Sequence, residues 1–243
     1  MKSFIISVRM AVILLSLVVL LPVISLFGLL VALITLGRAS AFLTKWIGLA
    51  LGKSVLFLAG IKIKEIHHDP EYKKQPAVFL FNHSSTLDLF ITISLNLPKV
   101  RFIAKKEIAY NPFFWIMAKV TGQIMINRKD SRKAVEQIRE AYDYVRENKI
   151  SLMLAPEGTR SRDGKIKLFK SGAFRTAIDL GYPVRPVFIE GAYDLCPGSS
   201  LIFKPGTINV HFHHATDTSE WDKTRLRKHI EEVREQYLEW AGE

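Results

Sequence analysis

AVFLFNHSSTLDLF, residues 77–90, is the stretch on which the fold turns. Ala77–Phe81 is a continuous apolar run, as in a strand buried on both faces. It passes directly into Asn82-His83, then Ser84, Ser85 and Thr86, then an apolar helical stretch from Leu87. Hydroxyl residues ahead of such a stretch are a helix N-cap signature. The segment therefore reads as strand, turn, helix. That puts His83 at a strand's carboxyl end, where open α/β sheets place their ligands.

The spacing of His83 and Asp88 narrows this further. Two residues five apart in one helix point about 140° apart. His83 therefore belongs in the turn, with Asp88 in the first helical turn reaching back to it. A carboxylate bonded to one imidazole nitrogen fixes the tautomer and leaves the other nitrogen as a base. The start of the helix also offers backbone N–H groups to an anion or oxyanion. Taken alone, His-x4-Asp equally fits a capping histidine beside an ordinary acidic first turn.

A second stretch, PEGTR at 156–160, follows another buried apolar run, Ile150–Ala155. Gly158 permits close backbone approach. Arg160 can hold a phosphate through two parallel N–H bonds, a geometry lysine does not copy. The alternative is a Pro-Gly turn with solvated charges. Ser161–Gly164 reads as such a turn, which makes Arg162 solvent-facing.

Working outward, further strands are expected at Ile61–Ile66, Arg101–Ala104, Ile124–Ile126, Val184–Ile189 and Ile208–Phe212. Helices are expected over Asp130–Asn148 and Ser219–Trp240, where apolar residues recur at helical spacing. Strands alternating with helices argue an α/β domain with a mixed, largely parallel sheet flanked by helices. The texture changes near Gly60. The expected organisation is an N-terminal membrane-associated helical hairpin over 1–60 and an α/β catalytic domain over 61–243.

The hairpin rests on hydropathy. Met10–Gly37 contains no charged residue. As a helix it would span roughly 42 Å, against a hydrocarbon core of about 30 Å. Lys2 and Arg9 ahead of the run, with Ala39-Ser40-Ala41 after it, resemble a secretory signal. The run far exceeds the usual apolar core of a signal, roughly 7–15 residues, so a retained anchor is expected. The next apolar stretch, Ala41–Ile61, is broken by Lys45 and Lys53, which with Arg38 just before it fall in one sector of about 80°. Two readings stand: a helix lying in the interface beside Trp46, or a second crossing with snorkelling lysines. Basic residues are denser after the anchor than before it, which favours a catalytic domain on the cytoplasmic side of the inner membrane.

The chain carries 34 basic and 23 acidic residues, a formal charge of +11. That excess suits anionic lipid headgroups, anionic substrates or nucleic acid. Nucleic acid is the weakest of these, since the anchor confines the chain to a bilayer and no stacking motif is present. The single cysteine, Cys196, excludes an internal disulfide. Gly158 to Gly164-Lys165 misses P-loop spacing, and Ile166 stands where Ser or Thr is required. No G-x-S-x-G elbow occurs. His211, His213 and His214 read as a strand with two histidines on one face, and His67-His68 as the end of a surface strand; no metal is expected.

These blocks resemble the glycerophospholipid acyltransferase family, most closely its 1-acyl-sn-glycerol-3-phosphate acyltransferases. NHSSTLD is similar to the family's first block. FIAKKEIAYNPFF at 102–114, running on to GQIMINR at 122–128, is similar to the second. APEGTRSRDGKIKLFKSGAF at 155–174 and YPVRPVFIEG at 182–191 are similar to the third and fourth. The resemblance implies direct acyl transfer from a fatty thioester, on acyl-CoA or acyl carrier protein, to the sn-2 hydroxyl of lysophosphatidic acid, giving phosphatidic acid. It implies no cofactor. It makes His83 the general base and Asp88 its orienting partner. Lys105, Arg128, Glu157, Gly158 and Arg160 would bind or position the acceptor phosphate. Ala155 stands where an aromatic residue often precedes Pro-Glu-Gly, and Ser84 where Gln is common. A membrane-bound esterase, with His83 activating water, is the rival from another class.

Overall fold

The computed structural model describes residues 2–105, 110–126, 140–198 and 200–243. Among these residues are seven strands: β1 Ile61–His67, β2 Val78–Phe81, β3 Val100–Lys105, β4 Ile124–Ile126, β5 Ser151–Leu154, β6 Val184–Glu190 and β7 Gly206–Phe212. Each coincides with an expected strand. They form one sheet in the order β1-β7-β6-β2-β5-β3-β4. Every pairing is parallel except β6 with β7, so the sheet is mixed and largely parallel, as expected.

The helices are α1 Lys2–Ile34, α2 Ser40–Ala59, α3 Asp88–Ser94, α4 Pro112–Val120, α5 at residues 140–147, α6 Ser171–Leu180, α7 Ala192–Leu195 and α8 Leu226–Ala241. Of the helix expected over Asp130–Asn148, residues before 140 lie outside the described ones. α8 starts at Leu226, not Ser219. Two aspartates hold the approach in turns: Asp217 accepts from Ser219 N–H, and Asp222 from Thr224 and Arg225 N–H.

Alternation along β2 separates two cores. Phe79 and Phe81 join Leu87, Ile91, Val55 and Leu56 on the face covered by α2 and α3. Val78 and Leu80 join Phe174, Ala177, Val233 and Tyr237 on the face covered by α6 and α8. The sheet is thus sandwiched between helical layers.

α1 and α2 form the expected helical hairpin, joined by a turn at 35–39. Both are long and apolar enough to cross a membrane, with mean hydropathy 3.0 over Ser7–Ile34 and 1.4 over Phe42–Ala59. Much of α1 is exposed and apolar, including Leu15, Val18, Val23, Phe27 and Leu33. An exposed apolar surface of this kind fits membrane association. Arg38, Lys45 and Lys53 are all exposed. The hairpin also packs on the domain: Ile13, Val55, Leu56 and Ala59 are buried in the core of the α2/α3 face. Gly52 lets α2 lie against α3, since a Cβ there would stand 2.7 Å from the Phe90 carbonyl oxygen.

Candidate active site

β2 and β5 are adjacent and parallel, in the register Leu80↔Leu154. Their carboxyl ends therefore release His83 and Glu157 side by side. β3 lies beyond β5 and runs the same way, so Lys105, its last residue, ends at the same edge of the sheet. Arg128 lies outside the described residues.

Asn82 prolongs the sheet by one side chain. Its amide donates to the Ile189 carbonyl at 2.9 Å and accepts from the Ile189 amide at 2.7 Å. That fixes the chain where His83 leaves β2. His83 Nδ1 lies 2.7 Å from Asp88 Oδ2. The same oxygen accepts from the backbone amides of Ser84 at 3.0 Å and Ser85 at 2.9 Å. An oxygen already accepting from two amides is an acceptor, so the third proton belongs to His83 Nδ1. Nε2 is then left with its lone pair, the state a general base requires. Asp88 opens α3 and is fully buried, while the His83 side chain is 26% exposed. Burial pushes the Asp88 carboxyl up from its ordinary value, and the bond from His83 opposes this.

One expectation about this turn needs correcting. The amides of Ser84 and Ser85 are not free for an anion, because Asp88 takes them both. Nor do the hydroxyls cap the helix, whose N-cap residue is Leu87 with no side-chain cap bond. Ser85 Oγ accepts from the Leu87 amide at 3.0 Å, whereas Thr86 Oγ1 donates to the Ser200 carbonyl at 2.8 Å.

The two motifs meet through three bonds. Glu157 Oε2 accepts from the His83 amide at 2.7 Å. The Ser161 amide donates to the His83 carbonyl at 2.7 Å. Arg160 Nη1 donates to Thr86 Oγ1 at 2.6 Å. Arg160 is exposed, so its guanidinium is open to an incoming anion. Glu157 is 2% exposed, and burial pushes its carboxyl up to about 8, against the pull of the His83 amide. Gly158 has φ of 71°, the left-handed region that favours glycine.

Further residues complete the cleft. Lys170 Nζ lies near Gly158, 3.0 Å from where a Cβ would stand, and Lys167 Nζ donates to the Arg160 carbonyl at 2.9 Å. Both lie inside the 155–174 block, so their cationic spacing was readable there. The 196–198 segment had no local signal. Ser85 Oγ donates to the Cys196 carbonyl, and Ser85 pairs with Pro197 as a β-bridge. Gly198 is wedged between the motifs; a Cβ there would stand 2.6 Å from Ser161 O and 3.0 Å from Ser84 O.

A cavity of ≈ 250 Å³ lies alongside, between α2, α3, α4 and β3. Its wall includes Gly48, Leu51, Leu89, Ile93, Met117 and Ala118. α3 thus carries Asp88 at its first residue and the apolar wall on its next turns.

A buried carboxylate–imidazole pair beside an exposed guanidinium, at the carboxyl ends of parallel strands, has the groups that group transfer or hydrolysis would use. Comparison with known proteins makes the class specific. The sequence profile of the family described as Acyltransferase matches residues 61–190, and the chain belongs to that family. The chain is 27% identical over 191 residues to a 1-acyl-sn-glycerol-3-phosphate acyltransferase of Limnanthes douglasii, covering 79% of this chain and 67% of the relative. It is 29% identical over 165 residues to the enzyme of the same name from Escherichia coli (strain K12), covering 67% of this chain and 66% of the relative. About two thirds of each relative is therefore matched. Among solved structures, the 1-acyl-sn-glycerophosphate (LPA) acyltransferase PlsC from Thermotoga maritima matches with a TM-score of 0.76 at 24% identity, over 99% of this chain and 96% of that one. That likeness shows the fold.

Proposed function

We propose that the protein transfers a fatty acyl group from a thioester, carried on coenzyme A or acyl carrier protein, to the sn-2 hydroxyl of lysophosphatidic acid. The observation that carries this reading is the joining of the His83–Asp88 turn to Glu157, Arg160 and Ser161 by three hydrogen bonds. His83 Nε2 takes the hydroxyl proton as the oxygen attacks the thioester carbonyl. The tetrahedral intermediate collapses with loss of the thiolate, and the imidazolium returns the proton to sulfur. Asp88 holds the imidazolium in place. General-base assistance of this kind contributes about 10²–10⁴-fold. Arg160 and Lys105, with Arg128, hold the acceptor phosphate, and the apolar cavity takes an acyl chain. The reaction needs no cofactor beyond the thioester. The exposed apolar hairpin supports work at a bilayer surface, and the excess of basic residues after it supports the cytoplasmic face.

The test uses the full chain in detergent, lysophosphatidic acid, and labelled acyl-CoA or acyl carrier protein thioester in separate reactions. Phosphatidic acid should form with wild type and not with His83→Ala. Thioester hydrolysis without an acylated lipid would overturn the reading in favour of an esterase. Product from another lysolipid only would move the acceptor assignment and leave the chemistry standing.

A further inference from the structure

Outside the cleft, three histidines meet where β1 and β7 end. The strands are parallel, in the register Ile66↔His211 and His67↔Phe212. Side chains alternate across a strand, so His68, His211 and His213 project from one face. One ring nitrogen of each lies within 4.8 Å of the others. His68 Nε2 and His211 Nδ1 are 3.2 Å apart. Bonds of about 2.0–2.1 Å to a tetrahedral ion place two ligand nitrogens roughly 3.3–3.4 Å apart. That pair already stands at ligand spacing. His68 is exposed and just past the end of its strand, so it is the ring placed to close the remaining gap to His213.

The surroundings match those of a metal-binding imidazole. Glu190 Oε2 lies 3.3 Å from His211 Nε2 and is itself held by Asn209 Nδ2 at 2.7 Å. A carboxylate on Nε2 keeps the proton there and turns the Nδ1 lone pair toward His68, the arrangement found behind histidine ligands. His213 is stacked on Trp240, with ring centroids 3.5 Å apart and planes at 5°. Its Nε2 is buried without a hydrogen-bond partner among the described residues. A simple His68–His211 hydrogen bond accounts for the shortest distance, and stacking of His68 on His213, with centroids 4.5 Å apart, for the next. Both leave the His213 nitrogen and the braced Glu190 without a purpose.

We propose that His68, His211 and His213 form a site for one divalent transition-metal ion of the zinc type, with Glu190 orienting His211 and solvent completing the coordination. Neutral imidazoles select zinc, cobalt, nickel or copper over magnesium or calcium. The ion ties β1, the edge strand that leads in from the hairpin, to β7 and, through the Trp240 stack, to α8. It lies on the α8 side of the sheet, whereas Asp88 and α3 cover the opposite side. Its role is therefore to hold the sheet's edge, separate from acyl transfer.

Cobalt(II) is the probe, added to the full-length, untagged, chelator-stripped protein in detergent. One equivalent should bind, with intense visible absorption of the tetrahedral kind and a rise in Tm. Zinc should displace it and magnesium should not. His68→Ala and His211→Ala should abolish the absorption with an unchanged far-ultraviolet dichroism spectrum. Glu190→Gln should weaken binding by about 10–100-fold. His214→Ala, next in sequence but directed to the other face, should bind as wild type does. Absence of the visible bands in wild type, equal cobalt binding by wild type and His68→Ala, or loss in His214→Ala as large as in His211→Ala, would each overturn the site.

Discussion

Replacing Glu157 by Gln tests the buried side of the cleft while leaving the His83 ring in place. Burial raises the Glu157 carboxyl to about 8, from an ordinary value of 4.5. Between those values the folded protein binds a proton that the unfolded chain has released. Stability therefore falls as pH rises through that window, by about 1.4 kcal/mol per pH unit, and levels off above it. Across the window from 4.5 to about 8 the loss amounts to about 5 kcal/mol. Glutamine keeps the carbonyl that accepts the His83 amide and never ionises. Wild type and Glu157→Gln should thus be similarly stable near pH 5. By pH 9 wild type should lag by roughly 10–20 °C in Tm, at about 2–4 °C per kcal/mol for a chain of this size. The assay is thermal unfolding of both proteins in detergent and phosphate-free buffer from pH 5 to pH 9. Plotting the difference cancels the groups they share. A difference that stays flat across this range, or that favours wild type as pH rises, refutes the burial argument.

Other perturbations bear on the reacting groups. Asp88→Asn leaves one carbonyl oxygen for the three donors that Asp88 Oδ2 now accepts. It should lower turnover by about 10²–10⁴-fold and stability by a few kcal/mol, and a fully active variant would remove the dyad from the reaction. Arg160→Ala should raise the acceptor's KM with little change in kcat. Arg160→Lys should not restore it, because an ammonium lacks the bidentate fork; full recovery by lysine would reject the clamp. Ala118→Phe fills part of the cavity and should shift products toward shorter acyl chains, an outcome read by mass spectrometry of the lipid; an unchanged distribution would place the chain elsewhere.

The strands were legible because burial on both faces writes itself as a continuous apolar run, as in Ala77–Phe81, and burial on one face as alternation, as in Ile61–Ile66. Three helices were missed: α7 is a single turn of four residues, and the other two were missed for different reasons. α6 follows directly on a charged, turn-rich stretch, and its apolar face of Ala173, Phe174, Ala177 and Leu180 is short. α4 did carry its start signal: Asn111 accepts from Phe113 and Phe114 N–H, with Pro112 at the first helical position. The His83–Asp88 pair was legible because the spacing puts His83 in the turn and Asp88 in the first helical turn, while the choice between a pair and a capping histidine rested on the blocks that follow. The Cys196–Gly198 contacts were not, since Ser85 and Cys196 lie 111 residues apart. The histidine cluster was hidden in the same way, with His68 and His211 separated by 143 residues.

The packing of α2 on α3 links the anchor to the chemistry. α3 is one short helix with three duties: Asp88 at its start orients the base, Leu89 and Ile93 line the cavity, and Phe90 and Ile93 receive Gly52 of α2. A Cβ at position 52 would meet the Phe90 carbonyl at 2.7 Å and Ile93 Cγ1 at 2.9 Å. The nearest neighbour is backbone, the Phe90 carbonyl, with the Ile93 and Ser94 side chains closing on either side. Through α3 the hairpin thus packs one helix away from Asp88, whose single shared oxygen holds His83 and both flanking amides. In this chain the membrane helix acts as a wall of the catalytic layer. The close packing of the apolar hairpin against the helix that carries Asp88 suits the proposed work at a bilayer surface.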